Sequence, residues 1–138
     1  EGLRSQVGGL QVAVRNAQLD SFESTTGTAA LLRIWTGAAP ANCAAADSGT
    51  LLAEMALPSD WMAAASSGSK AKAGTWEDTS ANGTGTAAHF RVYDTAGTTC
   101  HMQGTVGQGS GDLSLDNTSI VTAKTVTITG FTITAGNA

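Results

Sequence analysis

Residues 85–107 read GTAAHFRVYDTAGTTCHMQGTVG, and this pattern predicts two β-strands joined by a tight turn. Apolar and polar residues alternate along the first strand. A period of two is typical of a strand with one buried side and one side in water. The alternation assigns to the core Ala88, Phe90 and Val92, and to the solvent-facing side His89, Arg91 and Tyr93.

The turn of this hairpin is predicted at Thr95–Gly97. Three residues suit a hairpin loop in which the glycine takes the left-handed conformation, which has no steric cost without a Cβ. Such a loop sets the register of the two strands. The predicted opposed pairs are Val92 with Cys100, Phe90 with Met102, and Arg91 with His101.

The composition indicates one folded, mostly β domain. The chain has 138 residues, enough for a single core. Charged residues make up only 13%, which argues against a disordered chain, and 17 glycines fit many turns. The net charge is −4 without a basic stripe, so we expect no nucleic-acid partner. No apolar run reaches the roughly 18 residues of a membrane span, and the N-terminus lacks a secretory-signal pattern.

Two cysteines, Cys43 and Cys100, are too few for a disulfide scaffold. The sequence favours two free thiols, with Cys100 on the inward face of its strand as a small apolar residue. A long-range bridge between them is the alternative. Neither cysteine has the spacing of a zinc site.

The N-terminal region has a different period from the rest of the chain. Residues 10–25 carry apolar side chains at spacings of three and four, and Gly27 is placed to cap a helix. A coiled-coil seam is the alternative, through Leu3, Val7, Leu10, Val14 and Ala17. Gly8 and Gly9 would each cost such a helix roughly 1 kcal/mol. A surface helix is therefore favoured.

From Thr28 onward the period is two. Besides the hairpin, strands are predicted at residues 30–36, 50–57, 69–76 and 122–134, with a shorter one around residues 113–115. Residues 69–76 read as an edge strand with Lys70 and Lys72 outward, and Gly130 marks a bulge. We therefore expect an all-β fold, an antiparallel two-sheet β-sandwich of jelly-roll type. The expected organisation is an N-terminal helical arm, residues 1–26, and a β domain, residues 27–138.

No constellation of residues predicts catalysis or a cofactor. His89 and His101 lie on neighbouring strands but lack a third ligand, so a metal site is not predicted. Asp112, Ser114 and Asp116 alternate along one strand without the remaining features of a calcium loop. The chain has no Gly-x-Ser-x-Gly elbow. Three tryptophans are assigned to the core, with sugar stacking as the alternative: Trp35, Trp61 and Trp76.

Three stretches, one of them the hairpin, carry a family resemblance. They are LRIWTGAAPANCAAADSGTLLAEMALPSDWM (residues 32–62), the hairpin with its GTA-x-x-FR start, and GDLSLDNTSIVTAKTVTITGFTIT (residues 111–134). The most specific features are the TG-A-P loop, the hairpin start and the LDNTSI turn. Over residues 28–138 the chain resembles small proteins encoded among the structural genes of tailed bacteriophages and prophages.

This resemblance implies a non-enzymatic component of the virion, assembled in the bacterial host cytoplasm. The expected function is that of a capsid cement (decoration) protein, which binds and stabilises the lattice of the major capsid protein. The expected partners are that protein and further copies of this chain, since many copies on a lattice bind with avidity. A tail- or fibre-associated module that binds host-surface glycans is the alternative, and a carbohydrate-active enzyme is a distant third. The residues expected to contact a partner are Leu3, Val7, Leu10, Val14 and Trp35.

Overall fold

A computed structural model describes residues 9–135 and shows a mostly β fold with one helix, α1 (Val12–Thr26). The strands are β1 (Leu31–Trp35), β2 (Leu51–Ala56), β3 (Ser69–Ala71), β4 (Glu77–Asp78), β5 (Gly85–Thr86), β6 (His89–Tyr93), β7 (Cys100–Gly107), β8 (Leu113–Leu115), β9 (Ser119–Ile120) and β10 (Val126–Thr134).

Eight strands form one curled sheet in the order β2-β1-β6-β7-β8-β10-β3, with β4 also paired to β10. A second sheet contains β5 and β9. The sheet curls far enough for its ends to meet: Glu54 N donates to Asp78 Oδ2 at 3.0 Å, and Asn82 N donates to Leu52 O at 2.8 Å. Since β7 and β8 are parallel, the prediction of a purely antiparallel fold was wrong. The sandwich of jelly-roll type is not confirmed.

The predicted helix and its end are confirmed. Gly27 has φ +94°, and its N–H donates to Glu23 O at 2.9 Å. The cap works because glycine reaches this conformation without a Cβ clash. Helix α1 ends at Thr26 and lies against the edge strand β3.

The hairpin is confirmed, but its register differs from the prediction. Asp94 N donates to Thr99 O at 3.1 Å, so the loop is one residue longer than predicted, and Gly97 has φ +73°. A bulge then shifts the pairing between Val92 and Tyr93. The observed pairs are Tyr93 with Cys100, Val92 with Met102, Arg91 with Gln103, and Phe90 with Gly104.

Strand β6 lies in the interior of the sheet, and all five of its residues are buried. The expectation that His89, Arg91 and Tyr93 face solvent was therefore wrong. The loop of residues 37–49 covers them, so β6 is enclosed on both sides.

The core contains a chain of aromatic rings that runs from the hairpin to the helix. Phe90 meets Phe131 edge to face at 5.6 Å, and Phe131 lies 5.6 Å from Trp76. Trp76 lies 5.9 Å from Trp61, which meets Phe22 of α1 at 5.3 Å. Trp61 and Trp76 are fully buried, as predicted. The bulge predicted at Gly130 lies within β10 and is confirmed.

Replacing Phe90 with alanine is expected to lower the free energy of unfolding by roughly 3–5 kcal/mol, because the ring fills the centre of the core. Chemical denaturation monitored by circular dichroism measures this change. The matched control is Val121→Ala, at a site that is 47% exposed. The control should cost less than about 1 kcal/mol, and equal losses would contradict the assignment of the core.

Candidate functional site

Helix α1 is held on the domain largely by polar contacts. Its side-chain oxygens accept hydrogen bonds from backbone N–H groups of the segment that follows β2. The pairs are Asn16 with Gly68 at 2.9 Å, Asp20 with Ala65 at 3.0 Å, and Glu23 with Met62 at 3.1 Å. These bonds satisfy backbone groups that lie outside any strand ladder.

Lys70 completes this attachment. Its ammonium lies 2.7 Å from Asp20 Oδ1 and 3.0 Å from Glu23 Oε1, and it donates to Ala63 O at 2.9 Å. The side chain is only 2% exposed, so the prediction that Lys70 points outward was wrong. The physical reason is that three acceptors replace the water that the ammonium loses on burial.

The charges in this contact reinforce one another. Burial acts most strongly on the Lys70 pKa and lowers it, but hydrogen bonds to Asp20 and Glu23 outweigh burial and raise the pKa above its usual value. The hydrogen bond from Lys70 is the main cause of a lowered pKa at Asp20. The ion pair is thus stable across the neutral range.

The opposite face of α1 is exposed and carries no charge. The exposed residues on this side are Ala13, Val14, Ala17, Ser21, Ser24 and Thr25, whereas Val12 is exposed at the first position of the helix, in line with Asn16. The helix has three charged residues: Asp20 and Glu23 bond to the domain, and the Arg15 guanidinium lies against Gly68. This arrangement reverses the usual polarity of a surface helix, whose charged side faces water. We call the six residues on the outer side the neutral helix face.

The residues expected to contact a partner do not form one cluster. Val14 is 46% exposed and belongs to the neutral helix face, and Leu10 is half-buried just before the helix. Trp35 lies on β1, where its ring stacks on His89 at 6.5 Å with an interplanar angle of 9°. Leu3 and Val7 lie outside the described residues.

A second distinctive region is the loop of residues 37–49 on the outer side of β6. Arg91 is its main attachment point. The guanidinium donates to Asp47 Oδ1 at 2.7 Å, to Asn42 O at 2.9 Å and to Ala45 O at 3.0 Å. A fourth bond, from Nε to Gln103 Oε1, measures 3.0 Å. Every part of this buried cation therefore has an acceptor.

Other side chains of the sheet hold the same loop. Gln103 Nε2 donates to Pro40 O at 2.6 Å, and His89 Nδ1 lies 2.7 Å from Gly37 O. A carbonyl oxygen can only accept, so Nδ1 carries the proton of the histidine ring. Tyr93 donates its hydroxyl hydrogen to Asp47. Burial is the main cause that raises the Tyr93 pKa, and the Asp47 carboxylate raises it further.

Cys43 in this loop and Cys100 on β7 form a disulfide, with their Cα atoms 5.2 Å apart. The prediction of free thiols was wrong, and the alternative of a long-range bridge is correct. The error follows from the longer hairpin loop, which places Cys100 opposite Tyr93 and beside the loop of residues 37–49, not in the core.

The remaining candidates for site chemistry are occupied by internal contacts. His101 Nδ1 lies 3.3 Å from Thr26 Oγ1, whereas His89 bonds to the loop. Asp112 accepts from Thr105 N at 2.9 Å, and Asp116 accepts from Asn117 N at 2.9 Å. Within residues 9–135, no group of three or more His, Cys, Asp or Glu residues is arranged to hold a metal ion. No described helix is both long and apolar enough to cross a membrane.

Comparison of the chain with known protein families, curated proteins and solved structures finds no match.

Replacing Lys70 with methionine is expected to destabilise the protein by about 1–3 kcal/mol. The loss comes from leaving Glu23 and Asp20 without their cation, and it is moderated because the Asp20 side chain is 47% exposed. Thermal or chemical denaturation measures the change. Lys124→Met, at an exposed position, is the matched control and should be nearly neutral. Equal effects of the two changes would show that the ion pair does not fasten the helix.

The protein is also expected to lose stability in acid. Burial raises the pKa of Asp47 most strongly, but hydrogen bonds from Tyr93 and Arg91 outweigh it and hold the pKa below the usual 3.8. A lowered folded-state pKa contributes stability that is complete above 3.8 and is lost as pH falls through the folded value. Denaturation between about pH 7 and about pH 2 should therefore show a decline that is smaller in Asp47→Asn. Identical pH profiles would contradict this role of Asp47.

Proposed function

We propose that this chain is a non-enzymatic structural protein of a bacteriophage virion, a capsid cement (decoration) protein that binds and stabilises the major capsid protein lattice. The observation that carries the proposal is the neutral helix face. The virion assignment draws on the sequence resemblance of residues 28–138, and the helix supplies the surface for attachment.

The neutral helix face suits contact with another protein. Val14 is 46% exposed, and Ala13 and Ala17 extend the apolar area. The face has no charge to desolvate, which removes a major cost of forming an interface. Interface cores are likewise depleted of charged residues. Small side chains also let a partner approach the helix backbone closely.

The attachment of α1 makes this face rigid before any partner binds. Asn16, Asp20 and Glu23 fix the inner side of the helix through the contacts described above. A preorganised surface loses less conformational entropy on binding. On a repeating capsid lattice, many such contacts act together, so each needs only modest affinity.

A glycan-binding module of a tail or fibre is the second candidate. The half-buried Trp35 ring, stacked on His89 beside the loop of residues 37–49, is the observation that favours it. Trp61 and Trp76 are buried in the core and offer no stacking surface. Trp35→Ala should abolish glycan binding in this case and leave capsid binding intact.

Val14→Glu is expected to weaken binding to capsids that lack this protein by about tenfold or more, because it places a charge in the interface. Co-sedimentation with the capsids measures the binding. The matched control is Val121→Glu, since Val121 is 47% exposed and lies outside the helix. Both variants should retain the melting temperature of the parent protein.

Equal binding by the two variants would rule out the helix as the attachment surface. Electron microscopy of labelled particles tests the location, and label confined to tails would overturn the cement assignment in favour of the tail module. A point substitution changes only the exposed face of the helix. Truncation of residues 1–20 would also remove Asn16 and Asp20 and expose the buried Lys70.

A further inference from the structure

We infer that the Cys43–Cys100 disulfide is a redox-controlled latch for the loop of residues 37–49. Exchange with a dithiol reductant would release this loop locally while the sheet stays folded. The inference does not depend on the proposed function, because it concerns a different face of the molecule.

The first observation is how the loop is attached. Within the part of the chain that the structure describes, no backbone hydrogen bond joins residues 37–49 to a strand. The Thr36 N to Thr50 O bond at 3.1 Å closes the base of the loop, and Ala45 N to Asn42 O at 3.1 Å is internal. The loop is therefore held by side-chain contacts and by one covalent bond. A segment without ladder pairing is the kind that opens separately from the global structure.

The second observation is access to the disulfide. Cys43 and Cys100 both line an open cleft of about 340 Å³, and both residues are partly exposed. Arg91, Tyr93 and Asp47 also line this cleft. A disulfide reacts when a thiolate can reach one of its sulfur atoms. The cleft provides that approach without unfolding of the domain.

Thiol–disulfide exchange between the dithiol and the Cys43–Cys100 bond proceeds in two steps. A thiolate of the dithiol attacks one cysteine sulfur, the S–S bond breaks, and the other cysteine leaves as a thiolate that takes a proton from water. The second thiol of the reductant then attacks the mixed disulfide and releases the remaining cysteine. The protein gains two thiols, and the reductant is oxidised to a cyclic disulfide.

The structure also indicates what opening would uncover. His89 and Arg91 are each 1% exposed, and the loop supplies acceptors to both. His89 Nε2 and Trp35 Nε1 are buried and lack a hydrogen-bond partner within the described residues. Opening would give water or a ligand access to these two atoms and to the Arg91 cation. The latch thus controls a face that combines a cation with aromatic rings.

The test uses the full chain, with dithiothreitol as the dithiol. Mass spectrometry after alkylation counts the free thiols, and hydrogen exchange follows residues 37–49, with residues 126–134 as the internal control. Reduction should release two thiols and accelerate exchange at Ala44 and Ala45, whose N–H groups donate to Asn42, with little change in the control strand. The double variant C43S/C100S should reproduce this exchange pattern without reductant.

Acrylamide quenching of fluorescence gives a separate readout. Trp61 and Trp76 are fully buried, so an increase in quenching reports on Trp35 beside the loop. We expect reduction to increase it. The inference is overturned if the disulfide is reduced only on global unfolding, if exchange rises equally in residues 126–134, or if loop exchange is unchanged. A double variant that does not fold would also overturn it.

Discussion

The buried guanidinium of Arg91 is the constraint on which much of this structure depends. It lies in the middle of a strand that is covered on both sides, and an unpaired cation there would be strongly unfavourable. Three of its four hydrogen bonds go to the loop of residues 37–49. The loop therefore supplies the acceptors that this cation needs while it is shielded from water. The loop in turn depends on Arg91, because within the described residues its backbone makes no hydrogen bonds to a strand.

The same arrangement occurs a second time at α1. Lys70 lies on an edge strand, where a lysine normally keeps strands of other molecules away. Here it is buried, and its partners Asp20 and Glu23 come from the helix. In both places an irregular or helical segment is fastened to the sheet by a buried cation. The helix is thereby left with its neutral helix face toward solvent, which is what makes it a candidate for binding a partner.

Local signals explain what could be predicted from the sequence. The end of α1 follows from the conformation of Gly27, the bulge in β10 coincides with Gly130, and the hairpin follows from alternation and Gly97. The burial of Arg91 and Lys70 could not be predicted in this way, because their acceptors lie as far as 50 residues away in sequence. An isolated charged residue in an alternating pattern indicates a solvent-facing side until its partners are known.

The register of the hairpin could not be predicted from the local sequence either. The sequence around His101 contains no glycine or proline that would mark the bulge opposite Val92 and Tyr93. The extra residue in the hairpin loop is equally unmarked, and it is what places Cys100 opposite Tyr93 and so allows the disulfide. For the candidate site, Val14 belongs to the apolar spacing that suggested a partner contact, whereas the reversed polarity of α1 depends on the distant Lys70.

The pairing of Phe90 with Gly104 has a consequence for related sequences. A Cβ at residue 104 would stand 2.7 Å from Asp112 Oδ2 and 2.8 Å from Phe90 Cε1, so the carboxylate and the ring occupy the space that a side chain on β7 would need. The two positions share one volume across adjacent strands. An aromatic residue at position 90 thus favours glycine at position 104, and a larger residue at 104 requires both a smaller one at 90 and a displaced Asp112. Distant relatives of this chain should therefore show correlated exchange at these two positions, even where little other identity survives.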